Sequence, residues 1–257
     1  MEYQVNKKVS ILSILIIAIL STSFSTAVLA ASDEPLTVYS TRKENLIKPL
    51  FDAFTNKTGI EVRYLTGKGG ALIERIKLEG KRTKADMFMT VDAGNLWYAA
   101  SQNLFQPVES EVLVNNIPSH LRDPEGLWTG LSVRARTIIY STDRVNPEEL
   151  STYQDLANSK WKGRLCLRTS KKVYSKSLVA SLIHHDGVEN TSEVVKGWVR
   201  NLAATPHAED NYVMSAILAG QCDVGIVNSY YFGRLQTREP NVALKFFWAN
   251  QDSTGTH

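Results

Sequence analysis

Three tyrosine-bearing polar clusters are the residues of this chain best placed to do chemistry. The first is Tyr39-Ser40-Thr41-Arg42-Lys43-Glu44, the second is Tyr174, and the third is Tyr230-Tyr231. Each follows a predicted strand, and open α/β sheets bind their ligands beyond the carboxyl ends of strands. The last two clusters also precede predicted helices, whose positive amino ends favour a phenolate over a phenol. The ordinary reading competes: a Tyr-Tyr pair is commonly strand with one ring buried and one exposed, and Arg134 and Arg136 would commonly pair with surface carboxylates. Signatures of hydrolases and proteases are absent, with no GxSxG, HExxH or CxxC and only five histidines. His184-His185 reads as a dipole-compensating pair near a helix end, and Gly67-Lys68-Gly69-Gly70 as a turn lacking phosphate-loop spacing.

The elements that must position the tyrosines alternate strand and helix. Leu36–Ser40 reads as a strand, and Leu46, Ile47, Leu50, Phe51 and Phe54 keep helical spacing up to Gly59. Ile60, Val62 and Tyr64 alternate as a second strand, and Leu72, Ile73 and Ile76 make a helix ending at Gly80. Ala85–Val91 is apolar enough for a parallel strand covered on both faces, and a third helix starts near Ala93. A second set begins after Pro124 and Gly126. Its strands are Thr137–Tyr140, Leu165–Leu167, Asp223–Val227 and Ala243–Trp248, and its helices cover Tyr174–Asp186, 192–204, 211–219 and a short stretch after Tyr231. Repeated βα units predict an α/β fold of open, doubly wound sheets. Two such lobes imply a ligand cleft between them, with residues 31–130 forming the first, 131–237 the second, and about 238–257 rejoining the first.

Composition narrows the class. The 257 residues carry 29 Lys plus Arg against 26 Asp plus Glu, a net charge of +3 spread without a basic block, so nothing points to nucleic acid. Lys7 and Lys8 precede the apolar run Val9–Leu20 and the small-residue end Val28-Leu29-Ala30-Ala31, the order of a secretory signal peptide over residues 1–30. Export predicts an oxidising compartment. The only two cysteines, Cys166 and Cys222, are then expected to form a disulfide, two buried thiols being the alternative. The pattern alone reaches an exported, two-lobed ligand binder.

From Leu36 onward the chain resembles the periplasmic ferric-iron-binding proteins of ABC importers, the bacterial transferrin-like group. The stretches that carry the resemblance include TVYSTRKENLIKPLFDAFTNKTGIEV, LIERIKLEG, ADMFMTVDAGNLW, RARTIIY, VYSKSLVASL and VNSYYFGRL. It implies a type II periplasmic-binding-protein fold, a ferric ion as ligand, a membrane permease of an ABC importer as partner, a periplasmic location and a monomeric state. The family's metal-ligating tyrosines correspond to Tyr174, Tyr230 and Tyr231. Its first-strand loop often reads YSSRHY, with the His and final Tyr as ligands. This chain has YSTRKE, placing the cationic Lys43 and the oxygen donor Glu44 there. Glu44, water or a small anion such as carbonate would complete the shell, with Arg42 and Arg134 as cations beside it. Relatives also continue beyond the segment ending Gly255-Thr256-His257, so further strands and helices are expected to follow.

The chemistry suits that reading. Hard, highly charged cations prefer oxygen donors, and three phenolates balance the charge of Fe(III), which makes burial tolerable. An anion or polyamine carrier of the same fold would need backbone N–H groups and hydroxyls rather than phenolates. A secreted enzyme would need a nucleophile–base pair, and none is visible.

Overall fold

A computed structural model describes residues 34–257. The proposed signal peptide lies outside the described residues. Among these, no helix is long and apolar enough to cross a membrane. The chain divides into two compact units: the described residues up to Lys68 with Lys81–Met89, and Gly69–Gly80 with Thr90–His257.

The first unit is a parallel sheet backed by one helix. Strands β1 (Leu36–Ser40), β2 (Val62–Thr66) and β3 (Met87–Met89) align in the order β2-β1-β3, all parallel. Helix α1 (Glu44–Thr58) buries Ile47 and Phe51, one turn apart, against Val38, with Leu36, Val62, Tyr64 and Met89 packed around them. Gly59 stops the helix in a left-handed conformation (φ 77°) that only glycine adopts without cost, its N–H donating to the Thr55 carbonyl.

The second unit opens with helices α2 (Gly69–Glu79), α3 (Ala93–Ser101) and α4 (Glu111–Asn116). Its sheet is formed by β4 (Arg136–Ser141), β5 (Leu165–Cys166), β6 (Val224–Asn228) and β7 (Leu244–Phe247), in the order β5-β6-β4-β7. Only β5 and β6 run parallel; β4 is antiparallel to both β6 and β7. Helices α5 (Val173–Asn201), α6 (Asp210–Leu218) and α7 (Ser229–Arg238) cover it. Alternate residues of the central strands enter two cores. Ile138, Tyr140, Val224 and Ile226 pack with Leu178, Leu182, Trp161 and Trp198, while Ile139 and Val227 pack with Val213, Ile217, Phe232 and Leu235. With both faces buried, each such aliphatic side chain contributes about 1.5–3 kcal/mol.

The second sheet is mixed, because the connection from β4 to β5 runs through short 3-10 turns, including Pro147–Glu149, instead of a crossover helix. Residues near 238–257 supply β7, which pairs with β4 inside the second unit rather than rejoining the first; an apolar strand pattern does not say which edge it joins. The span α5 is two helices that meet at a kink at Gly187 (φ 81°, ψ 165°), so the first ends at the expected glycine; the second runs on to Asn201, beginning earlier than the expected 192. The Cys166–Cys222 disulfide is present, with Cα atoms 5.9 Å apart.

Candidate metal centre

Strand direction explains why distant tyrosines meet. Because β5 and β6 are parallel, their carboxyl ends lie on the same sheet edge, and α5 and α7 both start from that edge. Tyr174 is the second residue of α5; Tyr230 and Tyr231 are the second and third residues of α7. The Ser229 N–H donates to the Ala135 carbonyl, which anchors the start of α7 beside β4. Helical geometry at Tyr230-Tyr231 replaces the strand alternation that would have sent the rings to opposite faces. Their ring centroids lie 4.4 Å apart, and Tyr230 is near enough to Tyr174 and Tyr231 to disfavour ionisation of both phenols.

The phenols are half-buried among charged groups. Burial, followed by the neighbouring Tyr230, holds the Tyr174 phenol well above the ordinary tyrosine range, with Arg134 pulling the other way. Burial and the hydrogen bond to Tyr230 push Tyr231 up to about 12, opposed by Arg168. The Arg134 guanidinium carbon sits 4.6 Å from the Tyr174 ring centroid and that of Arg168 sits 5.2 Å from it. Arg234 lies 5.3 Å from the Tyr230 ring.

Buried carboxylates balance these cations. Asp92 receives hydrogen bonds from Arg134 Nη2, Ser177 Oγ and the Gly94 N–H. Asp210, fully buried, lies 3.3 Å from Arg136 Nη1 and 3.4 Å from Arg168 Nη1, and accepts the Asn228 N–H at 3.1 Å. Arg136 Nη1 also donates to Asn228 Oδ1 at 3.0 Å. The opposite Asn228 Nδ2 therefore donates to the Tyr230 hydroxyl, at 3.2 Å.

The structure thus brings together Tyr174, Tyr230, Tyr231 and Arg134 in the second unit. It places Arg42 and Glu44 in the first. Glu44, the opening residue of α1, accepts a 2.8 Å hydrogen bond from the Tyr64 hydroxyl, and the Arg42 N–H donates to Ser40 Oγ at 3.1 Å. Sequence reasoning missed Asp92, Arg168, Asp210 and Asn228. The first is an Asp directly before a helix, which reads as an ordinary N-cap, and the others carry no local pattern that separates them from surface polar residues.

Neighbouring tyrosines with paired charges around them offer the oxygen donors that hard cations prefer. Residues 82–253 match the model of the bacterial extracellular solute-binding protein family, and the chain belongs to that family. Its mixed α/β fold with open sheets is that of type II periplasmic binding proteins. It is 44% identical over 232 residues to iron uptake protein A1 of Synechocystis, covering 87% of this chain and 64% of that protein. A Trichodesmium protein (IdiA, FutA) solved in complex with iron and citrate superposes with a TM-score of 0.81 at 45% identity, covering 87% of this chain and 73% of the other. A ferric binding protein from Campylobacter jejuni gives 0.80 at 35%, covering 86% and 72%. The chain spans roughly three fifths of the length of the curated iron uptake relatives, 64% and 58% for two from Synechocystis.

Proposed function

We propose that this protein is a non-enzymatic, periplasmic carrier that captures ferric iron through the phenolates of Tyr174, Tyr230 and Tyr231 and delivers it to the membrane permease of an ABC importer. The observation that carries the reading is the placing of three half-buried tyrosines in the first turns of two helices that start from one end of the sheet, with the Tyr230 and Tyr231 rings 4.4 Å apart. Relatives named for iron uptake and for ferric binding support the ligand class.

Binding replaces three phenol protons with one trivalent cation. The cation supplies the charge that makes three adjacent phenolates stable, and the phenolates neutralise the cation in return. The surrounding Arg134, Arg136 and Arg168 exceed Asp92 and Asp210 by one positive charge. That surplus suits a small anion such as carbonate beside the iron. Export by the signal peptide places the carrier where ferric iron is met.

Thermal-shift titration tests the ligand class. Ferric citrate is expected to raise the melting temperature, by the linkage of binding to folding, while sulfate, phosphate and spermidine leave it unchanged. A shift with phosphate or spermidine and none with ferric citrate would overturn the reading in favour of an anion or polyamine carrier.

A further inference from the structure

Asp92 occupies an unusual position for an N-cap. Its backbone lies at φ 74°, ψ 131°, in the region that favours glycine, so the surrounding contacts must hold it there. Its side chain is only 3% exposed, yet all three of its bonds are to groups at the tyrosine site or at its own helix start. Oδ1 takes the Gly94 N–H at 3.0 Å and the hydroxyl of Ser177, which lies three residues after Tyr174 on α5. Oδ2 takes Nη2 of Arg134, whose guanidinium lies over the Tyr174 ring. Gly94 is part of the arrangement. A Cβ there would stand 3.1 Å from Asp92 Oδ1 and 3.5 Å from Ser177 Oγ, crowding the carboxylate between its donors.

One carboxylate therefore ties together the start of α3, the helix that carries Tyr174 and the arginine stacked on the Tyr174 ring. Nε of Arg134 is buried without a hydrogen-bond partner, so the Asp92 contact is what holds the guanidinium in place. A ferric ion would be repelled by an arginine left uncompensated or loose at this point. We propose that Asp92 is a positioning residue of the cation site: it fixes Arg134 on the Tyr174 ring and cancels its charge, so that the ring is held and the cation tolerated. The inference rests on the tyrosine-site reading above.

Asp92→Asn isolates the charge. Asn tolerates a positive φ better than most residues, and its Oδ1 still serves Gly94 and Ser177, so the fold is retained. The other terminal atom becomes an NH2 donor facing the Arg134 donor, which releases the guanidinium. Two measurements decide the matter.

In the first, nitrogen-15 spectra of iron-free protein follow the Arg134 Nε–H, identified by its loss in Arg134→Met. It is expected to be ring-shifted and slowly exchanging in the wild type, and to move to free-arginine values in Asp92→Asn. In the second, ferric affinity is measured against a competing chelator for Asp92→Asn, Arg134→Met and the double variant. Asp92→Asn should weaken ferric binding about tenfold, in the range seen when groups that orient metal ligands are removed. The double variant should match Arg134→Met alone within about twofold, since Asp92 then has no arginine to hold.

An unmoved Arg134 resonance overturns the proposal, as does an equal loss from Asp92→Asn in both backgrounds, which would mark a purely structural cap. If wild-type protein takes up no ferric ion, the tyrosine-site reading fails, and the resonance alone decides whether Asp92 holds Arg134.

Discussion

Proton release is the most quantitative consequence of a three-phenolate site. Each tyrosine must lose its proton to coordinate, and burial with phenol–phenol contacts pushes Tyr231 up to about 12 and holds Tyr174 higher than an ordinary tyrosine. At pH 7 a phenol with that value is ionised in about one molecule in 100,000. The raised values favour the protonated form, so cation affinity falls as pH falls. If each of three phenols gives up one proton on binding, the logarithm of the affinity should climb by about three for each pH unit between about pH 5 and 8. Lowering the pH from 7 to 6 should therefore weaken ferric binding about a thousandfold, after correction for the chelator's own protonation. Titration against a competing chelator at several pH values reads the slope, and pH-stat titration in unbuffered solution counts the protons directly. In Tyr230→Phe, where binding itself is nearly lost, the protons released on ferric addition should fall close to none. A slope near zero, or a proton count unchanged by that substitution, would refute phenolate coordination.

Further outcomes follow from the same geometry. Tyr230→Phe removes one of the three phenolates and the acceptor of the Asn228 Nδ2 hydrogen bond, so chelator competition should find ferric binding nearly abolished. Glu44→Gln should weaken binding only a few-fold in the same assay, because its carboxylate is engaged by the Tyr64 hydroxyl and water or an anion can serve in its place. Gly225→Ala should lower stability by about 1–3 kcal/mol in denaturant titration, since a Cβ there would lie 2.5 Å from Val213 Cγ1 and 2.9 Å from the Cys166 carbonyl oxygen. Replacing both Cys166 and Cys222 by Ser should cost about 4 kcal/mol by chain entropy over the 56-residue separation, read as a shift in denaturation midpoint.

Local pattern carried most of the fold. The strand Leu36–Ser40 and the helix stopped by Gly59 stand where apolar periodicity and a left-handed glycine put them, because both signals act within a few residues. Strand direction and partner choice were not legible. Nothing in the alternation of β4 says that it runs against β6, or that β7 joins its edge, since those depend on connections and contacts distant in sequence. The same holds for the site. Tyr174, Tyr230 and Tyr231 stood out through their place after strands and before helices. Asp92 and Asp210 did not, because a buried carboxylate declares itself only through the arginines it faces, 42 residues from Asp92 to Arg134 and 74 from Arg136 to Asp210.

The central claim is that ferric iron is held by tyrosine phenolates, and a visible spectrum during ferric loading tests it most directly. Phenolate bound to Fe(III) gives an intense charge-transfer band. The account predicts that the band grows to one equivalent of iron in the wild-type protein and is lost or strongly displaced in Tyr230→Phe and Tyr231→Phe, while Glu44→Gln keeps it. A protein that binds iron yet stays colourless, or a band that survives both tyrosine substitutions unchanged, would contradict it.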